Sequence, residues 1–337
     1  MAETEKYRKE RLDRGIKARS DTIYVLASWR DLLYLLMPRA LPVALLILLP
    51  ILLRGSYWEK VLFYSCIFGL LALSWDFMNS VGLVSLGQAL FFGAGAYFSG
   101  ALNHYLGWPI FLTIPAGTIG GALICTALLV PVVRLRGVYF SIVTLILPLL
   151  FAHLIETLEI LGGTHGLLSL SPYPSGWIAI YLAVGSLIIV LFGFRKILDE
   201  DFGMILRGIR DDDRVVMASG VNIYWYKAQS IFLAAAVGSF AGALMTHYYQ
   251  FVGRSVLALD YTILPLAAVV LGGPGSFAGA ALGSFILVPL SEALRAMGGL
   301  RIALYGLILI GALAALPEGM FHYLQRRYHQ FERMVKV

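Results

Sequence analysis

The chain has 337 residues, of which 59% are hydrophobic and 14% are charged, and its formal net charge is +6. Because soluble domains average about 25% charged residues, this composition excludes an ordinary soluble protein and predicts an all-α, polytopic helical membrane protein. The basic residues are dispersed at the ends of apolar runs, so their excess does not indicate nucleic-acid binding. Cys66 and Cys125 both lie inside apolar runs, which excludes a disulfide framework.

Apolar runs predict a membrane domain over residues 33–320, between a polar cytoplasmic arm at 1–32 and a basic cytoplasmic tail at 321–337. A helix needs about 20 apolar residues to cross a bilayer, and on that measure the domain holds about 8–10 transmembrane or re-entrant helices. The predicted segments are Leu33–Leu53, Val61–Phe77, Val84–Leu102, Trp108–Val133, Val138–Ile160, Trp177–Phe194, Ala228–Tyr248, the interrupted Thr262–Leu290, and Arg301–Leu316.

The distribution of Lys and Arg orients these segments. Basic residues concentrate in the arm, in the polar loop at 195–227 and in the tail, and the positive-inside rule places such regions in the cytoplasm. A single crossing by Thr262–Leu290 would put the tail outside. Because this segment is broken at Leu271–Ser276, we expect two short helices that enter and return, or a pair of short crossings. Irregular backbone at membrane depth is tolerated where it is buried in protein or lines a cavity, so the break is expected near a pore.

The loop at 195–227 is the longest polar run between apolar segments, and it predicts a short amphipathic helix. Asp211–Asp213 would stand at the positive end of the helix dipole, and Gly220 would permit a left-handed cap at the other end. A solvated loop helix is the ordinary interpretation of such a run. Its place between two groups of apolar segments also allows a docking role.

Glycine-rich apolar segments occur in both halves of the chain, at Val84–Tyr97 and Val270–Gly279. Paired glycine-interrupted segments point to the binding site of a transporter, although such segments also resemble one another by chance. Glycines spaced by four residues predict helices in close contact. These are Gly117 and Gly121, Gly238 and Gly242, and Gly275, Gly279 and Gly283.

Ionisable residues are scarce within the predicted segments, and most lie near segment ends, which favours structural or interfacial roles. An ion-coupled carrier would need such groups, with Asp76 and Glu156 as the candidates. The chain carries no GxxxxGK[ST], HExxH, CxxC or GxSxG motif, so neither ATP hydrolysis nor another catalytic site is expected. No catalytic residue, metal or cofactor is predicted.

Six motifs in order resemble the branched-chain amino acid ABC permease family of the LivM type. They extend from about Leu73 to Met320 and read VSLGQALFFGAGAY, LRGVYFSIVTL, GGTHGL, LRGIRDDDRVVMASGVN, VVLGGPGSFAGAALG and LPEGM. The resemblance implies an inner-membrane permease subunit of a bacterial importer with both termini cytoplasmic. It also implies a second, LivH-like permease, two ATP-binding cassette subunits and a periplasmic solute-binding protein as partners.

The resemblance places the family's ATPase-facing coupling helix on Arg210–Gly220. Small residues are expected about where Val216 and Met217 stand, which questions the identity of the ATPase partner and not the docking role. The residues assigned to coupling are Arg210, Asp211, Asp212, Asp213, Arg214 and Gly220.

The substrate route is predicted where polar or irregular positions interrupt apolar runs, namely at Ser85, Gly87, Gln88, Gly272, Gly273, Gly275 and Ser276. The expected substrate is a small polar solute, first of all a branched-chain or other amino acid. Urea, short amides and aromatic acids are alternatives for the same type of permease. Two further hypotheses are an ion-coupled transporter acting alone and an accessory subunit without a solute route.

Overall fold

The computed structural model describes residues 7–11, 29–52, 55–135, 137–294, 319–329 and 332–336, with scattered positions between 304 and 314. Most of the predicted arm and most of the predicted span Arg301–Leu316 lie outside the described residues.

Helices make up nearly all of the described chain, which confirms the all-α prediction. Twelve helices are described: α1 Trp29–Leu52, α2 Ser56–Asn79, α3 Gln88–Leu106, α4 Ile110–Leu129, α5 Val138–Leu158, α6 Gly176–Asp199, α7 Asp201–Asp211, α8 Asp213–Ala218, α9 Ile223–Tyr249, α10 Asp260–Gly272, α11 Phe277–Ala293 and α12 Met320–His329. Short 3-10 turns lie at Val132–Arg134, Ile160–Gly162 and Arg254–Leu257. Strands β1 (Tyr7–Arg11) and β2 (Glu332–Lys336) form an antiparallel pair.

Five of the described helices are long and apolar enough to cross a membrane on their own: Tyr57–Asn79 in α2, then α4, Val138–Thr157 in α5, α6 and α9. Helices α10 and α11 pass the same test together, with a bend of 118° between them. The predicted break in Thr262–Leu290 is therefore confirmed. The bend reverses the chain direction, so α10 and α11 form a helical hairpin.

The two terminal strands bring distant parts of the sequence together. Tyr7 in β1 pairs with Lys336 in β2.

Helix α2 is the centre of the bundle. Nearly its whole apolar length is buried, and it packs against α9, α11, α6 and α10. A helix that is hydrophobic all round belongs in a core, and α2 has apolar side chains on every face, with Phe63, Ile67 and Leu70 all fully buried.

Glycine allows α3 to pack between α4 and α9. A Cβ atom on Gly95 would overlap the backbone of Ser239 in α9, and one on Gly242 would overlap the Phe92 carbonyl oxygen in α3. On the α4 side, a Cβ on Gly121 would lie 2.6 Å from Ser239 Oγ. Of the glycines in the predicted spacings, Gly121 and Gly242 thus lie at backbone contacts with α3, whereas a Cβ on Gly275 would meet no atom within 4 Å.

We expect Gly95→Ala to destabilise the protein by about 1–3 kcal/mol or more, because backbone atoms of Ser239 cannot move aside as a side chain can. The matched control is Gly185→Ala in α6, where a Cβ would meet no atom within 4 Å and helix propensity favours alanine. Thermal unfolding in detergent should show a lower midpoint for Gly95→Ala only. Equal midpoints for the two variants would contradict the packing described here.

Candidate functional site

Three consecutive residues near the end of α2 each bond to a different part of the chain. Ser74 Oγ donates to the Ala234 carbonyl in α9 at 2.7 Å, Trp75 Nε1 donates to the Ser85 carbonyl at 2.7 Å, and Asp76 Oδ1 accepts from Gly275 N at 2.7 Å. All three side chains are buried. We call Ser74–Asp76 the α2 junction.

The α2 junction contacts both groups of residues that are predicted to line the route. Ser74 and Trp75 contact the first group, at Gln88 and Ser85. Asp76 bonds to the second group, at Gly275. Sequence reasoning singled out Asp76 and missed Ser74 and Trp75. The sequence did contain a signal for these two residues, a Ser-Trp-Asp run inside an apolar segment. Each of these side chains needs a hydrogen-bond partner when it is buried, so the run indicates contacts with other parts of the chain.

Gln88 at the start of α3 contacts Ser74, and both side chains are fully buried. Ser74 Oγ lies 3.1 Å from Gln88 Oε1, while Gln88 Nε2 is without a partner among the described atoms. One hydroxyl hydrogen cannot serve both Gln88 and Ala234. Turning the amide over resolves this conflict, because Nε2 then donates to Ser74 Oγ, whose hydrogen goes to the Ala234 carbonyl.

The first turn of α3 is held by hydroxyl groups from distant helices. The free N–H groups at a helix start need partners. Here Leu86 N donates to Thr144 Oγ1 in α5 at 3.0 Å, and Ala89 N donates to Thr262 Oγ1 in α10 at 3.1 Å. Helix α3 therefore starts inside the bundle, beside Ser74 and about 8 Å before the end of α2. The predicted segment Val84–Leu102 becomes helical only at Gln88 for this reason.

Ser85 and Gly87 complete this turn. Ser85 Oγ accepts from Gly87 N at 3.1 Å, and a Cβ on Gly87 would lie 2.8 Å from the Thr144 carbonyl oxygen. Ser85 and Gln88 have no exposed surface. Both residues, which are predicted to line the route, therefore lie inside the protein.

The turn between α10 and α11 holds the second predicted group. Gly273 and Gly275 have φ of 107° and 83°, which non-glycine residues rarely adopt. Ser276 caps α11 by accepting from Gly279 N at 3.2 Å, and Gly272 lies so close to Gly279 that a Cβ would overlap its backbone. Glycine at 272, 273 and 275 thus lets the chain reverse within four residues.

The polar loop forms two helices, α7 and α8, which confirms the predicted short helix. Asp212 caps α8 by accepting from Arg214 N at 2.9 Å, and Gly220 has a φ of 86°. Asp213 Oδ2 lies 3.5 Å from Nζ of Lys227, near the start of α9, and both side chains are mostly buried. These contacts fix α8 against α9.

Five of the six predicted coupling residues, all except Gly220, border a cavity of about 340 Å³. Its other walls come from the loop that follows α2 and from the α4–α5 connection. The lining residues are Val81, Gly82, Leu83, Leu135, Gly137, Phe140, Ile209, Arg210, Asp211, Asp212, Asp213, Arg214 and Lys227.

Further ionisable groups hold the connecting segments in place. His247 Nδ1 lies 2.9 Å from the Ser171 carbonyl, so Nδ1 donates to it. Nε2, with a single lone pair, then accepts from one of the two hydroxyls beside it, those of Ser99 and Thr113. Burial raises the pKa of the Tyr173 phenol in the same connection. Glu156 pairs with Arg254, in line with the structural role expected for it. Within the described residues no cluster of His, Cys, Asp and Glu could hold a metal ion.

The fold and these contacts define a multi-pass α-helical membrane protein. A family model described as branched-chain amino acid transport system / permease component matches residues 57–315, and the chain belongs to that family.

Two bacterial relatives, from Escherichia coli K12 and Salmonella typhimurium LT2, are named high-affinity branched-chain amino acid transport system permease protein LivM. Each relative is 28% identical to this chain, over 71% of the length of this chain. The match spans 64% of the length of these relatives. A solved structure of an ABC transporter of metal-chelate type, in an inward-facing conformation, aligns with 86% of this chain and with 100% of the solved chain. The sequence identity is 17% and the TM-score is 0.45.

Thr262→Val should destabilise the protein by about 1–3 kcal/mol, because the isosteric side chain leaves Ala89 N–H buried without a partner. Thr118→Val is the matched control, since its hydroxyl bonds only to the Ile114 carbonyl one turn back in the same helix and its loss should cost under about 0.5 kcal/mol. Thermal unfolding in detergent compares the two. An equal shift would argue against the cap on α3.

Proposed function

We propose that this chain is a permease subunit of an ATP-driven importer that carries branched-chain or other amino acids across the cytoplasmic membrane of a bacterium. The observation that carries the proposal is the family match over residues 57–315, which includes the α2 junction, the hairpin and the α7–α8 segment. The Escherichia coli and Salmonella relatives are both named for branched-chain amino acid transport, which favours these substrates over urea, short amides or aromatic acids.

The proposed partners are two ATP-binding cassette subunits, a second, LivH-like permease and a periplasmic solute-binding protein. The chain has no phosphate loop of its own, so ATP must act through a docked subunit. Helix α8 offers a suitable surface, because Val215 and Met217 are exposed directly after the charged pair Asp213 and Arg214. Val216 instead faces Gly208 in α7, which braces α8 from behind.

The proposed route passes the start of α3 and the α10–α11 turn. Rocking of helices around discontinuous segments is a general way to alternate access, and here two such segments meet α2 at Ser74–Asp76. In a carrier of this kind, the polar side chains of Gln88 and Ser276 would face the solute. The ion-coupled alternative is disfavoured because Glu156 is already paired with Arg254 and Asp76 with Gly275.

The direct test is purification of the chain with the proteins that accompany it, followed by reconstitution into liposomes with its binding protein. We expect ATP-dependent accumulation of labelled leucine that requires the binding protein. Uptake by the chain alone, driven by a proton or sodium gradient without ATP, would overturn the proposal.

Asp212→Ala should weaken docking of the ATP-binding subunit, because a lost helix cap costs about 1 kcal/mol. That corresponds to about a fivefold loss of affinity or of ATP-driven uptake. Asp212→Asn is the control, since asparagine caps equally well. Binding of the purified ATPase to the permease in nanodiscs measures the effect, and a loss in Asp212→Asn equal to that in Asp212→Ala would point to charge instead of capping.

Gln88→Ala and Ser276→Leu should each reduce uptake by about tenfold, a loss typical of one hydrogen bond to a bound solute. Ser276→Asn retains the cap on α11 and controls for helix disruption. Labelled-solute uptake by the assembled transporter provides the measurement. Unchanged uptake in both Gln88→Ala and Ser276→Leu would remove these positions from the route.

A further inference from the structure

Asp76 occupies a position that disfavours a carboxylate. It lies in the last turn of α2, at the negative end of the helix dipole, and its side chain has no exposed surface. Burying such a group costs free energy unless it is paired and hydrogen-bonded. An ionisable residue inside a membrane bundle therefore calls for a functional reason.

The contacts of Asp76 supply that reason. Oδ1 accepts from Gly275 N at 2.7 Å, across 199 positions of the sequence. Oδ2 has no partner in hydrogen-bonding geometry among the described atoms. The carboxylate thus holds the α10–α11 turn through one bond, made to the backbone of the residue at which the chain reverses.

The loop that follows α2 touches the α7–α8 segment. A Cβ on Gly82, three residues after the end of α2, would lie 3.3 Å from Cα of Arg210 in the last turn of α7. The backbones of α7 and of this loop are therefore in contact, and we expect a displacement of α7 to displace the end of α2.

We propose that Asp76 is a positioning residue that passes movement of the α7–α8 segment to the α10–α11 turn through its bond to Gly275. The inference rests on the proposed function, in which a docked ATPase moves α8. Movement of Gly275 is carried directly into α11, because the next residue, Ser276, caps that helix.

The link requires a hydrogen-bond acceptor at this position, and it requires no proton transfer. Asparagine retains an acceptor oxygen and removes the titratable group, while alanine removes both. The variants Asp76→Asn and Asp76→Ala therefore separate a mechanical link from a proton relay. Ser65→Ala is the matched control, because Ser65 is equally buried in α2 and its hydroxyl bonds only to the Val61 carbonyl of its own helix.

Two quantities are measured on the assembled transporter in lipid: solute imported per ATP hydrolysed, and hydrogen–deuterium exchange of the peptide at 270–279. In Asp76→Ala we expect the Gly275 amide to exchange about tenfold faster, since its hydrogen-bond acceptor is lost. Import per ATP should fall by a similar factor while ATP hydrolysis continues. Asp76→Asn and Ser65→Ala should stay within about twofold of the wild type.

Three outcomes would overturn the proposal. Unchanged exchange in Asp76→Ala would show that the bond does not hold the turn. Faster exchange with unchanged import per ATP would show that the turn is held without serving transport. Loss of import in Asp76→Asn equal to that in Asp76→Ala would indicate a titrating group. If the wild-type transporter showed no ATP-dependent import, the proposed function would fail, and the exchange measurement would still decide whether Asp76 holds Gly275.

Discussion

Close backbone contact between α3 and α9 is the interaction on which the rest of the bundle depends. Lipid provides no hydrophobic force between helices, so association relies on packing and on internal polar bonds. Gly95 and Gly242 allow the two backbones to meet, and in this contact Ser239 Oγ donates to the Phe91 carbonyl at 3.0 Å. With α3 held in this way, its first turn is presented to α2, α5 and α10.

The placement of the first turn of α3 beside α2 creates the α2 junction. Two non-helical stretches, one before α3 and one between α10 and α11, meet the last turns of the same buried helix. Both stretches need partners for backbone groups that no water can reach, and both obtain them from side chains of other helices. Ser74–Asp76 therefore joins parts of the molecule that lie far apart along the chain.

The α7–α8 segment has a different character. Its contacts to the bundle run through the Asp213–Lys227 pair and through the backbone at Gly82 and Arg210. Two apolar side chains of α8, Val215 and Met217, are exposed. A short capped helix of this kind moves as a rigid body. Its position beside the end of α2 connects a surface suited to a partner with the interior of the bundle.

The sequence by itself determined the membrane class, most of the helices, the break at Leu271–Ser276 and the capped helix α8, because hydropathy, glycine spacing and capping are local properties. Only the tertiary structure decided where α3 begins and what Asp76 binds. The partners of the α2 junction in α9 and the hairpin turn lie 160 and 199 positions away along the chain. No local pattern encodes such bonds, since a buried polar group specifies that it needs a partner and leaves the choice of partner to the packing of the helices.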